Sequence, residues 1–270
     1  MTRFLLAFSM LLPVLRAQDP VEILRRSVEL DQRDNERLKD YTYIAINEFT
    51  SDQNSSGTQS STREITMLAG RPYRRLIARN GKPLSEKEAA SEQAKMDREF
   101  AKRQHESASD KAKQEKARAE NRKFLLQAPD AYTLRLEGVE QISGKPAWVI
   151  SGEPKPGFRP KGSGPDAQIL TKVRGKVWID QAEYRWVKFE AEVLETLSMD
   201  LALVRIGPGT HLSFEQTRVN DEVWLPSRTS IHGDARLGYL VKMHGDQEIT
   251  YRDYKKFQTD SRIVPDDKEK

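Results

Sequence analysis

The 270-residue sequence contains no cysteine. That excludes disulfides, thiolate nucleophiles and cysteine-ligated zinc, and it removes the residue a bacterial lipoprotein leader carries at its cleavage site. A large excess of one charge is also missing. Lys and Arg number 45 against 41 Asp and Glu, for a net charge of +4 that falls by two if Arg3 and Arg16 leave with a leader. The two signs are mixed along the chain with no basic patch, so nucleic acid is not an expected partner. Histidine is scarce, limited to His105, His211, His232 and His244, and the sequence has no HExxH, GxSxG or Gly-rich phosphate loop. No repeat of propeller or solenoid type is present. One hydrophobic run stands out, residues 4–15, interrupted by Pro13 and short of the roughly 20 residues a bilayer requires. It follows Met-Thr-Arg and leads to Ala17 before Gln18-Asp19-Pro20, the three-part layout of a secretory signal peptide. Cleavage is expected near Ala17, although Leu15 occupies a position that favours a small residue, and the expected location is periplasmic or secreted.

Hydrophobic residues make up 37% of the chain and charged residues 32%, so the core must be economical. Asp19, Pro20 and Glu22 read as a helix start, with Asp as cap, Pro at the first position and Glu completing a capping box. Val21, Leu24 and Val28 fall on one face of a helix predicted to reach about Lys39, with a polar second half suited to a surface. The period then changes to two. Strands are predicted at "YTYIAINEFT" (41–50), "REITMLAG" and "PYRRLIARNG", after which "LSEKEAASEQAKMDREFAKRQHESASDKAKQEKARAENRKFLL" (84–126) is helical by propensity. Ser85 and Glu88 form a second capping box, and "HESASD" is the weak point, which predicts two helices hinged there as an antiparallel hairpin inserted between strands, with a single rod or a solvated charged arm as the alternatives. Strands resume at "AYTLRLEGV" and "KPAWVISGEP", a Gly/Pro-rich loop covers 155–167, and seven strands from "RGKVWID" to "EITYRDYKKF" follow with short turns. The total is about eleven, in an antiparallel meander.

The stretch "GKVWIDQAEYRWVKFEAEVL" (175–194) shows the alternation most plainly. Val187, Phe189, Ala191 and Val193 alternate with Lys188, Glu190 and Glu192, which predicts one buried and one wet face. A long meander twists and curls, and its apolar face needs cover. The predicted fold is α+β: a curved antiparallel sheet forming an unclosed half β-barrel, covered by the N-terminal helix, with the long charged helical insert. Val187, Phe189 and Val193 are assigned to the inside of the curve and Trp186 to the opposite face. The tripeptide His-Gly-Asp occurs at 232–234 and again at 244–246. It could gather two imidazoles and two carboxylates into a metal site, but the plainer expectation is two hairpin turns with incidental histidines, and no metal is assigned.

A leader, a leading helix and about eleven antiparallel strands, with "GKVWID" followed by "WVKFEAEV", then "EVWLP" and a closing "YRDYKKF", resemble the superfamily of LolA, LolB and the N-terminal domain of RseB. The resemblance spans roughly residues 18–80 and 130–259; the insert departs from the smaller carriers. It implies one half-barrel domain over 18–259, preceded by the signal peptide at 1–17 and followed by a polar tail at 260–270. It also implies a non-catalytic carrier or sensor that takes a lipid, acyl chain or lipidated protein, without a cofactor and with peripheral membrane contact. Candidate lining residues are Val177, Ile179, Val187, Phe189, Val193, Leu201, Leu203, Leu212 and Phe214, each also readable as ordinary core. The alternative is a structural or signalling module that recruits an envelope protein through the insert and has a filled cavity.

Overall fold

A computed structural model describes residues 18–51, 57–121, 123–161, 165–199, 204–237 and 241–256. Helix α1 (Pro20–Arg37) starts where Asp19 accepts a hydrogen bond from the Val21 amide at 2.9 Å. Glu22 pairs with Arg25 instead of closing a capping box. The buried stripe of α1 runs Ile23, Leu24, Ser27, Val28, Asp31, Asp34, at the three-and-four spacing of one helix face. It therefore continues through the polar half that the sequence assigned to a surface. Those polar positions stay inside because the sheet supplies partners: Trp186 Nε1 donates to Asp31 at 2.8 Å, and Arg185 pairs with Asp34 at 3.1 Å.

The strands are β1 (Tyr41–Ser51), β2 (Thr58–Leu68), β3 (Arg71–Arg79), β4 (Lys82–Pro83), β5 (Tyr132–Ile142), β6 (Lys145–Pro154), β7 (Val173–Asp180), β8 (Trp186–Val193), β9 (Leu197–Met199), β10 (Val204–Ile206), β11 (His211–Val219), β12 (Val223–Leu237) and β13 (Val241–Lys256). Eleven of them follow one another in the order β4-β3-β2-β1-β13-β12-β11-β8-β7-β6-β5, and β9 and β10 form a short flap on the far end of β12. Every pairing is antiparallel. The path ends at β4 and β5 without joining them, so the sheet is an unclosed half-barrel. The first and last long strands, β1 and β13, lie side by side at its centre. Register shifts in the β1–β13, β11–β12, β2–β3, β5–β6 and β7–β8 pairs mark bulges, which bend strands and strengthen twist.

Two sequence expectations change here. The strand read at "MDLALVRI" is split between β9 and β10, and its Leu201 and Leu203 lie outside the described residues. The His-Gly-Asp tripeptides are not turns; they sit inside β12 and β13, with Gly233 opposite Gly245. Each glycine has a positive φ, +139° and +149°, and a Cβ on Gly245 would stand 2.0 Å from the Thr50 carbonyl oxygen. Backbone approach that close admits only glycine.

The insert forms α2 (Glu86–Gln104) and α3 (Ala108–Asn121), broken at His105. Ser85 and Glu88 make the reciprocal capping box. Two short helices, α4 (Ala128–Ala131) and α5 (Ile169–Lys172), precede β5 and β7. Helix α2 lies along the edge strand β3, held by Arg103, which is buried. Its Nη1 donates to the carbonyls of Leu68 and Arg71, both at 3.0 Å, and its Nε to Glu99 at 2.7 Å. Such a cover removes an open sheet edge from solvent.

Candidate functional site

Cross-strand partners in an antiparallel sheet share a face, so the registers define what each side carries. The inner face, turned to α1, divides into two halves. Over β6 and β7, α1 closes it completely: Ile23, Leu24 and Val28 pack with Trp148, Ile150 and Ile179, and Val177 joins their edge. Ile150 and Ile179 are 1% and 0% exposed, which leaves no hollow. Beside this, Val173, Ala191, Val193 and Leu197 form a second buried cluster under Ile169 of α5, with Phe189 and Leu212 on its rim.

Beyond β8 the inner face continues past the helix. One row reads Phe189, Phe214, Thr229, Ile249, Asn47, Ser61 across β8, β11, β12, β13, β1 and β2. The neighbouring row reads Ala191, Leu212, Ile231, Gln247, Phe49, Gln59. A third, shorter row is Tyr251, Ala45, Arg63. Apart from Ala191 and the exposed Gln59, these side chains are half-buried. The rings of Phe189 and Phe214 stack with centroids 6.2 Å apart. The rows form a trough that is apolar at β8, β11 and β12 and turns to amides and hydroxyls at β1 and β2, where Gln247 donates to Asn47 at 2.8 Å.

The sequence candidates thus separate. Ile179, Val177 and Val193 are packing residues of the filled half. Phe189, Leu212 and Phe214 come together in the trough, and Leu201 and Leu203 lie outside the described residues. Val187 is displaced to the other side: it packs with Val149, Trp178 and Trp224 on the outer face. The cause is the shift between Trp178 and Ile179, which gives β8 one extra residue opposite β7. That bulge resets the alternation, so Trp186, assigned to the outside from its parity, faces α1. Ile231, Ile249 and Phe49 went unnoticed among the candidates. Their signal was available in the alternation of "RTSIH" and "EITY", but linking them required the β1–β13 pairing, which joins opposite ends of the chain.

Away from the Val187 cluster the outer face carries a polar groove. Its volume is about 510 Å³, and it is lined by Ser151, Arg174, Lys176, Glu190, Glu192, His211, Ser213 and His232 among others. Glu192 pairs with Arg174 at 2.8 Å and Glu190 with Lys188 at 2.6 Å. The two His-Gly-Asp tripeptides bond reciprocally, His232 Nδ1 donating to Asp246 at 2.6 Å and His244 Nδ1 to Asp234 at 2.7 Å. Among the described residues no group of three or more His, Asp or Glu side chains is placed to hold a metal ion.

Two charge clusters fasten α1 to the sheet. Burial raises the Asp34 carboxyl above its ordinary pKa, opposed by Arg185 and by the Trp224 amide. At the helix end, Glu222 accepts from Lys256 Nζ at 2.8 Å, Tyr41 Oη at 2.5 Å and Arg37 Nη2 at 2.8 Å. Hydrogen bonds from Lys256 and Tyr41 pull its pKa down to about 2.

No family model matches the chain, and no curated protein matches it. Solved structures do. A LolA superfamily protein from Nitrosomonas europaea aligns at 10% identity over 87% of this chain and 94% of its own, with a TM-score of 0.32. A DUF1329 family protein from Desulfovibrio piger aligns at 13% identity over 88% and 93%, with a TM-score of 0.35. The Mycobacterium tuberculosis lipoprotein LppX aligns at 10% identity over 88% and 96%, with a TM-score of 0.31. The likeness is one of fold. At these identities and scores it carries no conclusion about what the chain binds.

Among the described residues no helix is long and apolar enough to cross a membrane.

Proposed function

We propose that this protein is an extracytoplasmic carrier or sensor, not an enzyme, that binds a hydrophobic ligand along the trough. The observation that carries the reading is the apolar half of the inner face, which α1 leaves uncovered among the described residues. Phe189, Leu212, Phe214, Ile231 and Ile249 are half-buried without α1 above them, and α1 already closes the other half. Monomeric soluble proteins seldom leave a contiguous apolar strip open unless it binds something. The leader-like N-terminal sequence supports export. The trough rows offer apolar, amide and hydroxyl side chains and one arginine, Arg63, with no acidic side chain to pair as acid and base, which supports binding over catalysis.

The test is mass spectrometry of lipid co-purifying with the native protein, together with titration of a fluorescent acyl probe. Phe214→Ala is expected to weaken probe binding about tenfold or more, since a buried phenyl contributes roughly 1.5–3 kcal/mol. Phe100→Ala, at an exposed apolar position on α2, is expected to leave it unchanged. Absence of lipid with no probe binding overturns the reading. If Phe100→Ala instead abolishes association with an envelope protein, the insert-based module replaces it.

A further inference from the structure

The trough's polarity gradient specifies the ligand further. Of the acidic residues of the strands that build it, Glu48, Glu64, Glu190, Glu192, Glu215, Asp234, Asp246 and Glu248 occupy the alternate positions and stand on the outer face, and Asp253, in the β1–β13 bulge, pairs with Arg252. The only charged side chain in the three rows is Arg63, on β2 beside Ala45. It is half-buried and donates to Ser61 Oγ at 2.7 Å, with no acidic partner among the described residues. Arg74, on β3 opposite Ile65 and exposed, adds a second positive charge nearby. A cation partly withdrawn from water among rows that carry no acidic side chain is stabilised by an anion brought from outside. The guanidinium fork matches a carboxylate with two parallel hydrogen bonds, and Asn47 and Ser61 lie in the rows beside it.

Length agrees with charge. Neighbouring strands are about 4.8 Å apart, so the five steps from β2 to β8 cover about 24 Å. One acyl chain fills half of a bilayer's hydrocarbon core, roughly 15 Å. A chain whose head sits at Arg63 then crosses about three strands, moves over by one row, and ends at Ile249 and Thr229, beside Phe214.

We infer that the occupant is a single-chain amphiphile with a carboxylate head, a long-chain fatty acid, whose carboxylate rests on Arg63 and whose tail lies over Ala45 and Ile249 toward Thr229. The inference rests on the trough reading and adds a head group and a direction to it. It is tested with the mature chain and two ligands of equal chain length, hexadecanoate and hexadecanol, titrated below their aggregation limits by displacement of a fluorescent acyl probe. Hexadecanoate is expected to bind about tenfold more tightly than the alcohol. Arg63→Gln is expected to lose that advantage while its hexadecanol affinity stays within about twofold, which also shows that the variant is folded. Arg63→Lys is expected to fall between, because the ammonium keeps the charge without the fork. Equal affinity for acid and alcohol in the wild type overturns the head-group assignment and leaves the trough standing. Failure of both ligands to bind overturns the trough reading itself.

Discussion

At the scale of single residues, the centre of the sheet depends on Gly245. A side chain there meets the Thr50 carbonyl oxygen, and the φ of +149° disfavours any L-residue. Gly138 has nearly the same φ, +148°, with open space around it, so it separates backbone strain from collision. Gly245→Ala is expected to destabilise the fold by about 1–3 kcal/mol more than Gly138→Ala, read from urea midpoints. Equal costs would mean that the close approach is dispensable. Glu222 makes a pH prediction. Its pKa in the folded protein, about 2, lies below the ordinary 4.5, so its contribution is present above about pH 4.5 and is lost as pH falls toward 2. Unfolding midpoints measured from pH 6 to pH 2 should fall more steeply for the wild type than for Glu222→Gln, and parallel curves would refute this. Asp34 acts with the opposite sign. Its raised pKa means that its contribution is present at low pH and is lost as pH rises through the folded value.

At the scale of elements, the insert and α1 are attached differently. Helix α2 exposes much of its surface and is anchored by a buried guanidinium shared among backbone carbonyls, with the Arg71–Glu106 ion pair at 2.7 Å fixing the break that follows it. Arg103→Ala removes the charge-assisted hydrogen bonds to both carbonyls, at roughly 2–3 kcal/mol. The expected result is faster proteolysis near 105–107 while the half-barrel keeps its unfolding transition. Unchanged cleavage would show that the Arg71–Glu106 pair holds the insert without Arg103. The helical character, the break and the Ser85 cap of this element were legible in the sequence, because propensity and capping are local. The buried side of α1 was legible only as far as Val28. Asp31 and Asp34 look like surface residues until Trp186, Arg185 and Trp224 bring donors to them, and those partners are distant in sequence.

At the scale of the whole molecule, alternation was enough to read an antiparallel half-barrel, since a period of two survives any arrangement of the strands. It did not locate the faces throughout. A single added residue at Val187 reverses the parity of Trp186, and bulges leave no compositional mark in "YRWVKF". The trough was legible on its β8 and β11 side, through Phe189, Leu212 and Phe214. Its β13, β1 and β2 side was not, because local pattern does not report which strands become neighbours. The join between β1 and β13 also bears on how the chain acquires its shape. The two halves of the barrel meet along a seam made from its opening and closing strands, and contacts so far apart in sequence form slowly. The β1–β13 seam can therefore close only once β13 is available, and a chain shortened before β13 would keep β1 without its partner along that side.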